Sequence, residues 1–249
     1  MLSTITKIFT DRSELIWFLI RIPVVLIALS FHEMSHAYAA HKLGDDTAKN
    51  LGRLTMNPIK HLDLIGTICL VLFGVGWAKP VPIMTRNFEN PKKGMVISSL
   101  AGPGSNLFLS LISFILCVIF SAIFGYTDAL TLKPEGVGGI LAFILCLFLY
   151  VFHIVNLSYA IFNMLPVPPL DGSRLALAFL PDKVYFGIMR YERYIMIGFL
   201  VLMYLTGFSW ISKLVYLISD GLFSLVSFIP GLGFIKAIPD VLFYILGTI

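Results

Sequence analysis

Between Lys93 and Asp128, and again between Glu135 and Asp171, the chain contains no Asp, Glu, Lys or Arg. Each run exceeds the roughly 20 apolar residues that carry a helix across a bilayer. In hydrocarbon every backbone N–H and C=O must be paired inside the chain, so runs of this kind fold as helices. A third run, Tyr194 to Ser212, is just long enough. Composition agrees: 13% of the 249 residues are charged, against about 25% in a soluble domain, and mean hydropathy is +0.90. The chain reads as an all-α integral membrane protein, a polytopic helical bundle. No basic patch of the nucleic-acid-binding kind is visible.

The loops give an order to the spans. A first helix is expected from about Ile22 to Leu43, with Pro23 in its opening turn and Gly44 as its stop; residues 14–20 extend it or lie in the interface. The run from Leu64 to Ala78 is short and carries Gly66, Gly74 and Gly76. It reads as a re-entrant segment, open to β character, rather than a crossing. It is flanked by Lys42, Lys49, Arg53 and Lys60 on one side and by Lys79, Arg86, Lys92 and Lys93 on the other. Basic loops stay in the cytoplasm, so the run should enter and leave by one face. Helix 94–125 then exits, helix 137–164 returns, the basic segment 166–193 lies inside, and helix 194–212 leaves again. The expected organisation is one membrane domain over residues 1–249, with a core at about 20–180 and additional C-terminal helices over 181–249. No cleavable signal peptide is expected, because Asp11, Arg12 and Glu14 precede the first apolar stretch. Cys69, Cys117 and Cys146 read as small core hydrophobes.

Within the first helix stands His32-Glu33-Met34-Ser35-His36. Ionisable groups are costly at membrane depth, so three in five positions call for a function. Residues four apart share a helix face, so both imidazoles can reach one ion, with Glu33 beside them as a base for an attacking water. Six and ten residues from Lys42, at about 1.5 Å per residue, His36 and His32 lie about 9 and 15 Å inside. A catalytic zinc site needs a third protein ligand. The best candidate is Asp171, since Pro166, Pro168 and Pro169 stop the preceding helix and let an extended chain turn back. The alternative is a loop aspartate that caps the next helix.

The His32-Glu33-x-x-His36 helix, the Gly102-Pro103-x-x-Asn106 signal and the segment Asn163-x-x-Pro166-x-Pro168-x-x-Asp171-Gly172 together resemble the site-2 protease family. These are intramembrane zinc metalloproteases with a shared catalytic core of three spanning helices. The resemblance covers roughly residues 20–180. It implies one Zn2+ per chain on His32, His36 and Asp171, Glu33 as catalytic base, and Asn163 as a polar group that engages the substrate backbone. It also implies a transmembrane protein as substrate, within the lipid bilayer. The form is compact, without the peptide-binding or nucleotide-sensing domains of larger relatives. It resembles prokaryotic members, which points to a multi-pass protein of the plasma membrane with its site nearer the cytoplasmic face.

Other polar groups divide between site and scaffold. His153, Asn156 and Asn163 lie near one stripe of their helix. For His153 and Asn156, hydrogen bonding between helices is favoured over a wetted wall that binds substrate. Asn106 serves either as a substrate-binding group or as glue between closely packed helices. His41 reads as interfacial and His61 as solvated. Two other functions use the same residues: a metal-handling transporter, and a catalytically silent protein that binds membrane helices. The first would show a path of acids and an internal repeat, and the second has no use for Glu33.

Overall fold

The computed structural model describes residues 12–64, 66, 78–123, 136–206 and 209–238. The long helices are α1 (Arg12–Lys42), α4 (Pro91–Ile123), α5 (Gly136–Asn163), α8 (Glu192–Thr206) and α9 (Ser209–Ser227). Short helices lie between them: α2 (Thr47–Asn50), α3 (Pro58–His61), α6 (Asp171–Leu177) and α7 (Asp182–Met189). Among the described residues, four stretches are long and apolar enough to cross a membrane: Phe18–Lys42, Pro91–Ile123, Val137–Asn163 and Ser209–Ser227. Among the described residues there is no strand, only an isolated antiparallel bridge between Leu62 and Ala78. The chain is a helical, multi-pass membrane protein.

Three expectations change. Helix α1 covers Arg12–Lys42, so residues 14–20 extend it and Pro23 sits in its interior rather than in its opening turn. The charge-free run 194–212 falls in two helices, α8 and α9, rather than in one. The fourth crossing candidate is therefore α9, which carries Lys213 and Asp220. His61 is buried rather than solvated, and its Nε2–H donates to the Thr55 carbonyl at 2.8 Å. The re-entrant segment expected at 64–78 lies almost wholly outside the described residues, as do Cys69 and residues 239–249 of the expected C-terminal helices.

The chain divides into two compact units. One comprises Met1–Val25, Phe108–Leu157 and Ser212–Ile249. Its core gathers Val24, Phe114, Cys117, Leu147, Tyr150, Val151, Phe223 and Ile235. The rings of Phe114 and Phe223 pack edge to face at 4.8 Å, a favoured aromatic geometry. His153 is fully buried there and fully used. Its Nδ1–H donates to the Ser110 carbonyl at 3.0 Å, and its Nε2 accepts from Ser219 Oγ at 3.2 Å. The imidazole thus joins α4, α5 and α9, in keeping with the scaffold reading. Leu111, Ile115 and Ile119 of α4 and Leu141, Ile144 and Leu145 of α5 are exposed, as lipid-facing side chains of spanning helices are.

The other unit comprises Leu26–Leu107 and Ser158–Ile211. Here α1 ends in a Schellman motif: Asp45 N–H bonds the Ala40 carbonyl, Gly44 N–H bonds the His41 carbonyl, and Gly44 takes φ +102°. The motif delivers the Asp45 carboxylate, fully buried, to Met84 N–H and Asn87 Nδ2, both at 2.7 Å, and to the N–H and hydroxyl of Thr47. The loops around 53–62 and 78–80 lie side by side. Besides the Leu62–Ala78 bridge, Lys79 N–H donates to the His61 carbonyl at 2.8 Å, and Arg53 Nη2 donates to the Lys79 carbonyl at 2.6 Å.

Candidate metal centre

All the residues of the centre belong to this second unit. Because positions four apart share a helix face, the rings of His32 and His36 meet edge to face, with centroids 4.6 Å apart. Both are buried. Each Nδ1 is already committed: that of His32 donates to Asn106 Oδ1 at 2.5 Å, and that of His36 donates to the Ser98 carbonyl at 2.7 Å. The orientation of Asn106 follows from its other bond, Nδ2 to the Ala28 carbonyl at 3.3 Å. With Nδ1 protonated, a neutral imidazole carries its lone pair on Nε2.

Those two Nε2 atoms stand 3.0 Å apart, and Asp171 Oδ2 lies 3.2 Å from one and 3.3 Å from the other. Three electron-pair donors thus converge on one point, an arrangement that needs a cation to be stable. Tetrahedral zinc at about 2.0–2.1 Å from each ligand sets its donors about 3.3–3.4 Å apart. The triangle fits that ion, with one coordination position left over.

Asp171 reaches the imidazoles because of what precedes it. Helix α5 stops at Asn163, the segment of three prolines cannot continue it, and Leu170 N–H closes a turn onto the Val167 carbonyl at 2.9 Å. Asp171 then opens α6. A Cβ on Gly172 would stand 2.2 Å from the Met164 carbonyl oxygen, so the turn admits no larger residue. One turn on, Arg174 Nη2 bonds Glu192 Oε2 at 2.8 Å and ties α6 to α8.

Gly102 does the same for α4. A Cβ there would fall 2.4 Å from His36 Nε2 and 2.7 Å from His32 Cε1. The glycine leaves open the space in which the nitrogen donors converge. Glu33, 9% exposed, accepts the Val81 N–H at 2.9 Å through Oε2.

Not every candidate joins this cluster. Asn106 contacts His32. Asn163 Nδ2 donates to the Tyr159 carbonyl at 3.0 Å, at the helix end next to Met164 and the Gly172 contact. Asn156 belongs to the first unit, fully buried, with Nδ2 on the Phe152 carbonyl at 2.8 Å. His41 pairs with Asp46 at the end of α1. Sequence reasoning missed Ser98, whose carbonyl left no signal, and Val81, which acts through its backbone. It also missed Asp45, although Gly44-Asp45-Asp46-Thr47 carried a turn signal.

The sequence pattern that defines Peptidase family M50 matches residues 20–205. Over 178 residues the chain is 42% identical to YwhC of Bacillus subtilis, a match that covers 72% of this chain and 77% of YwhC. It is 31% identical over 159 residues to MJ0611 of Methanocaldococcus jannaschii, covering 64% of this chain and 69% of that one. With Rip2 of Mycolicibacterium smegmatis it shares 28% identity over 154 residues, about half of that protein's length. All three are provisionally named zinc metalloproteases. No solved structure matches the chain.

Proposed function

This chain belongs to peptidase family M50, and from that premise we propose that His32, His36 and Asp171 hold its zinc ion and that Glu33 is its catalytic base. The protein is a zinc metalloprotease of the site-2 protease type, embedded in the membrane among its substrates and lipid. One observation carries the residue assignment: two Nε2 lone pairs and a carboxylate oxygen converge at 3.0–3.3 Å, with both Nδ1 atoms already spent elsewhere.

The reaction is hydrolysis of a peptide bond in or near a transmembrane segment of a protein substrate. Zinc, when bound, supplies a Lewis acid for the scissile carbonyl and lowers the pKa of water to about 7. Glu33 takes the proton of the attacking water and returns one to the leaving amine. Asn106 and Ser98 fix the imidazole tautomers, so both Nε2 atoms stay available. A helical substrate has its N–H and C=O groups paired and must be extended before attack. The segment at 79–83 is a candidate edge for the extended chain, and Asn163 a candidate hydrogen-bonding partner for its backbone. We read the chain as one membrane domain, since the family match at 20–205 runs through both units. The side-by-side loops at 53–62 and 78–80 support a common cytoplasmic side for their lysines and arginines. The centre is then nearer that face of a prokaryotic plasma membrane.

The test is reconstitution of the full chain with a single-span substrate, wild type beside Glu33→Gln. Cleavage by the wild type, lost in the variant while zinc content is retained, supports the assignment. Equal cleavage by both removes Glu33 as the base, and zinc flux across the vesicle without cleavage favours a transporter.

A further inference from the structure

The contacts around Glu33 reach beyond the metal ligands. Pro80 and Pro82 have no N–H, so Val81 supplies the one backbone donor in residues 80–82. That donor is spent on Glu33 Oε2 at 2.9 Å. A carboxylate held at one oxygen cannot spin freely, and the bond to an ionised acceptor is of the stronger kind. The other oxygen is left for proton transfer.

The segment that carries Val81 is itself held at both ends by buried charges. Upstream, Arg53, 7% exposed, places Nη2 2.6 Å from the Lys79 carbonyl and 3.5 Å from the Pro80 carbonyl. Downstream, Asp45, 0% exposed, takes the Met84 N–H and the Asn87 side chain. A buried guanidinium and a buried carboxylate are expensive to desolvate. Here each is directed at the main chain of residues 79–84, and neither touches the three proposed zinc ligands in any of these bonds.

We propose that the Val81 N–H orients Glu33, and that Arg53 and Asp45 are positioning residues that clamp residues 79–84 so that this donor stays in place. The proposal rests on Glu33 as the base, but the clamp can be measured without catalysis. It also limits how a substrate strand uses this edge. Residues 80–82 have no spare donor to offer, so a substrate pairs there through its own N–H groups onto their carbonyls.

Hydrogen–deuterium exchange on the full-length protein in lipid nanodiscs reads the donor directly. A proteolytic fragment covering residues 78–82 loses label at its first two positions and has prolines at 80 and 82, so it reports Val81 alone. In the wild type this amide should exchange at least about tenfold more slowly than an unstructured one, and Glu33→Ala should restore that loss. Glu33→Asp keeps the charge, shortens the reach and should show the same acceleration if the alanine variant does not fold. Arg53→Met should accelerate Val81 several-fold with Glu33 intact, and Arg53→Lys should recover part of the protection. Asp45→Asn should accelerate the amide of Met84. With zinc loaded and its content unchanged, Arg53→Met should lower kcat by about tenfold while KM holds.

Intrinsic-rate exchange at Val81 in the wild type overturns the proposal, and so does protection that survives both Glu33 variants. Loss of kcat in Arg53→Met with Val81 protection intact removes Arg53 from the clamp. A protein that protects Val81 through Glu33 yet cleaves no substrate keeps the clamp and counts against the peptidase reading instead.

Discussion

His32 and His36 aim their Nε2 lone pairs at each other across 3.0 Å. With Asp171 Oδ2 completing the triangle, the folded chain pre-pays the assembly of a site that only a cation or a proton can stabilise. Zinc should therefore bind the native state and stabilise it. At a thousandfold excess over the dissociation constant, the gain is about 4 kcal/mol. The purified protein should hold one zinc per chain, chelation should lower its thermal midpoint by several degrees, and added zinc should restore it. In His36→Ala and Asp171→Ala the midpoint should no longer respond to zinc. A zinc-independent midpoint in the wild type would remove the ion from this position.

Gly102 and Gly104 are two residues apart in α4 and make a controlled pair. A methyl on Gly102 would collide with His36 Nε2 at 2.4 Å, whereas one on Gly104 would meet no atom within 4 Å. Alanine is the better helix former by about 1 kcal/mol. Gly104→Ala should thus leave zinc binding as it was and raise stability slightly. Gly102→Ala should lower zinc content and cleavage together, although the helix itself gains. Equal zinc titrations for the two variants would mean that α4 approaches the imidazoles less closely than 2.4 Å implies.

Asn106 should matter for the ligand rather than for the substrate. Its Oδ1 takes the His32 Nδ1–H, and loss of such a partner typically costs about 10- to 100-fold in metal affinity or activity. Asn106→Ala should weaken zinc binding by that factor. At saturating zinc its KM should match that of the wild type. A raised KM with normal zinc affinity would return Asn106 to the substrate-binding role that the sequence left open.

Much of this was legible in the sequence because the governing rules are local. Charge-free runs fix the existence of α4 and α5 within two or three residues, since a bilayer admits few alternatives to a helix. The four-residue spacing fixes the shared face of His32 and His36. The three motifs resembling the site-2 protease family identify the family that the comparisons also find. The hidden parts are tertiary. His61 looks solvated in a basic loop and is buried, because that loop packs on residues 78–80. Gly102 signalled close packing without saying that the packing partner is the histidine pair. Val81 and Ser98 act through the backbone, which every residue has. Run length alone joined α8 and α9, two separate helices, into one span.

Asp45 gives a prediction in pH. Burial acts to raise its carboxyl pKa, but bonds from Thr47, Met84 N–H and Asn87 outweigh burial and lower it from 3.8. A carboxyl depressed in the folded state binds its proton more weakly there than in the unfolded chain. Its contribution to stability is therefore complete above pH 3.8 and fades as pH falls through that value towards the lower folded pKa. Asp45→Asn deletes this term and sets an amide against two N–H donors and the Asn87 amide. At neutral pH the variant should be less stable by about 1–3 kcal/mol. Thermal midpoints of the two proteins, measured in steps from pH 7 down to pH 3, should therefore converge at the acid end. A constant gap across that range would mean that the Asp45 carboxylate is not the group holding Met84 and Asn87.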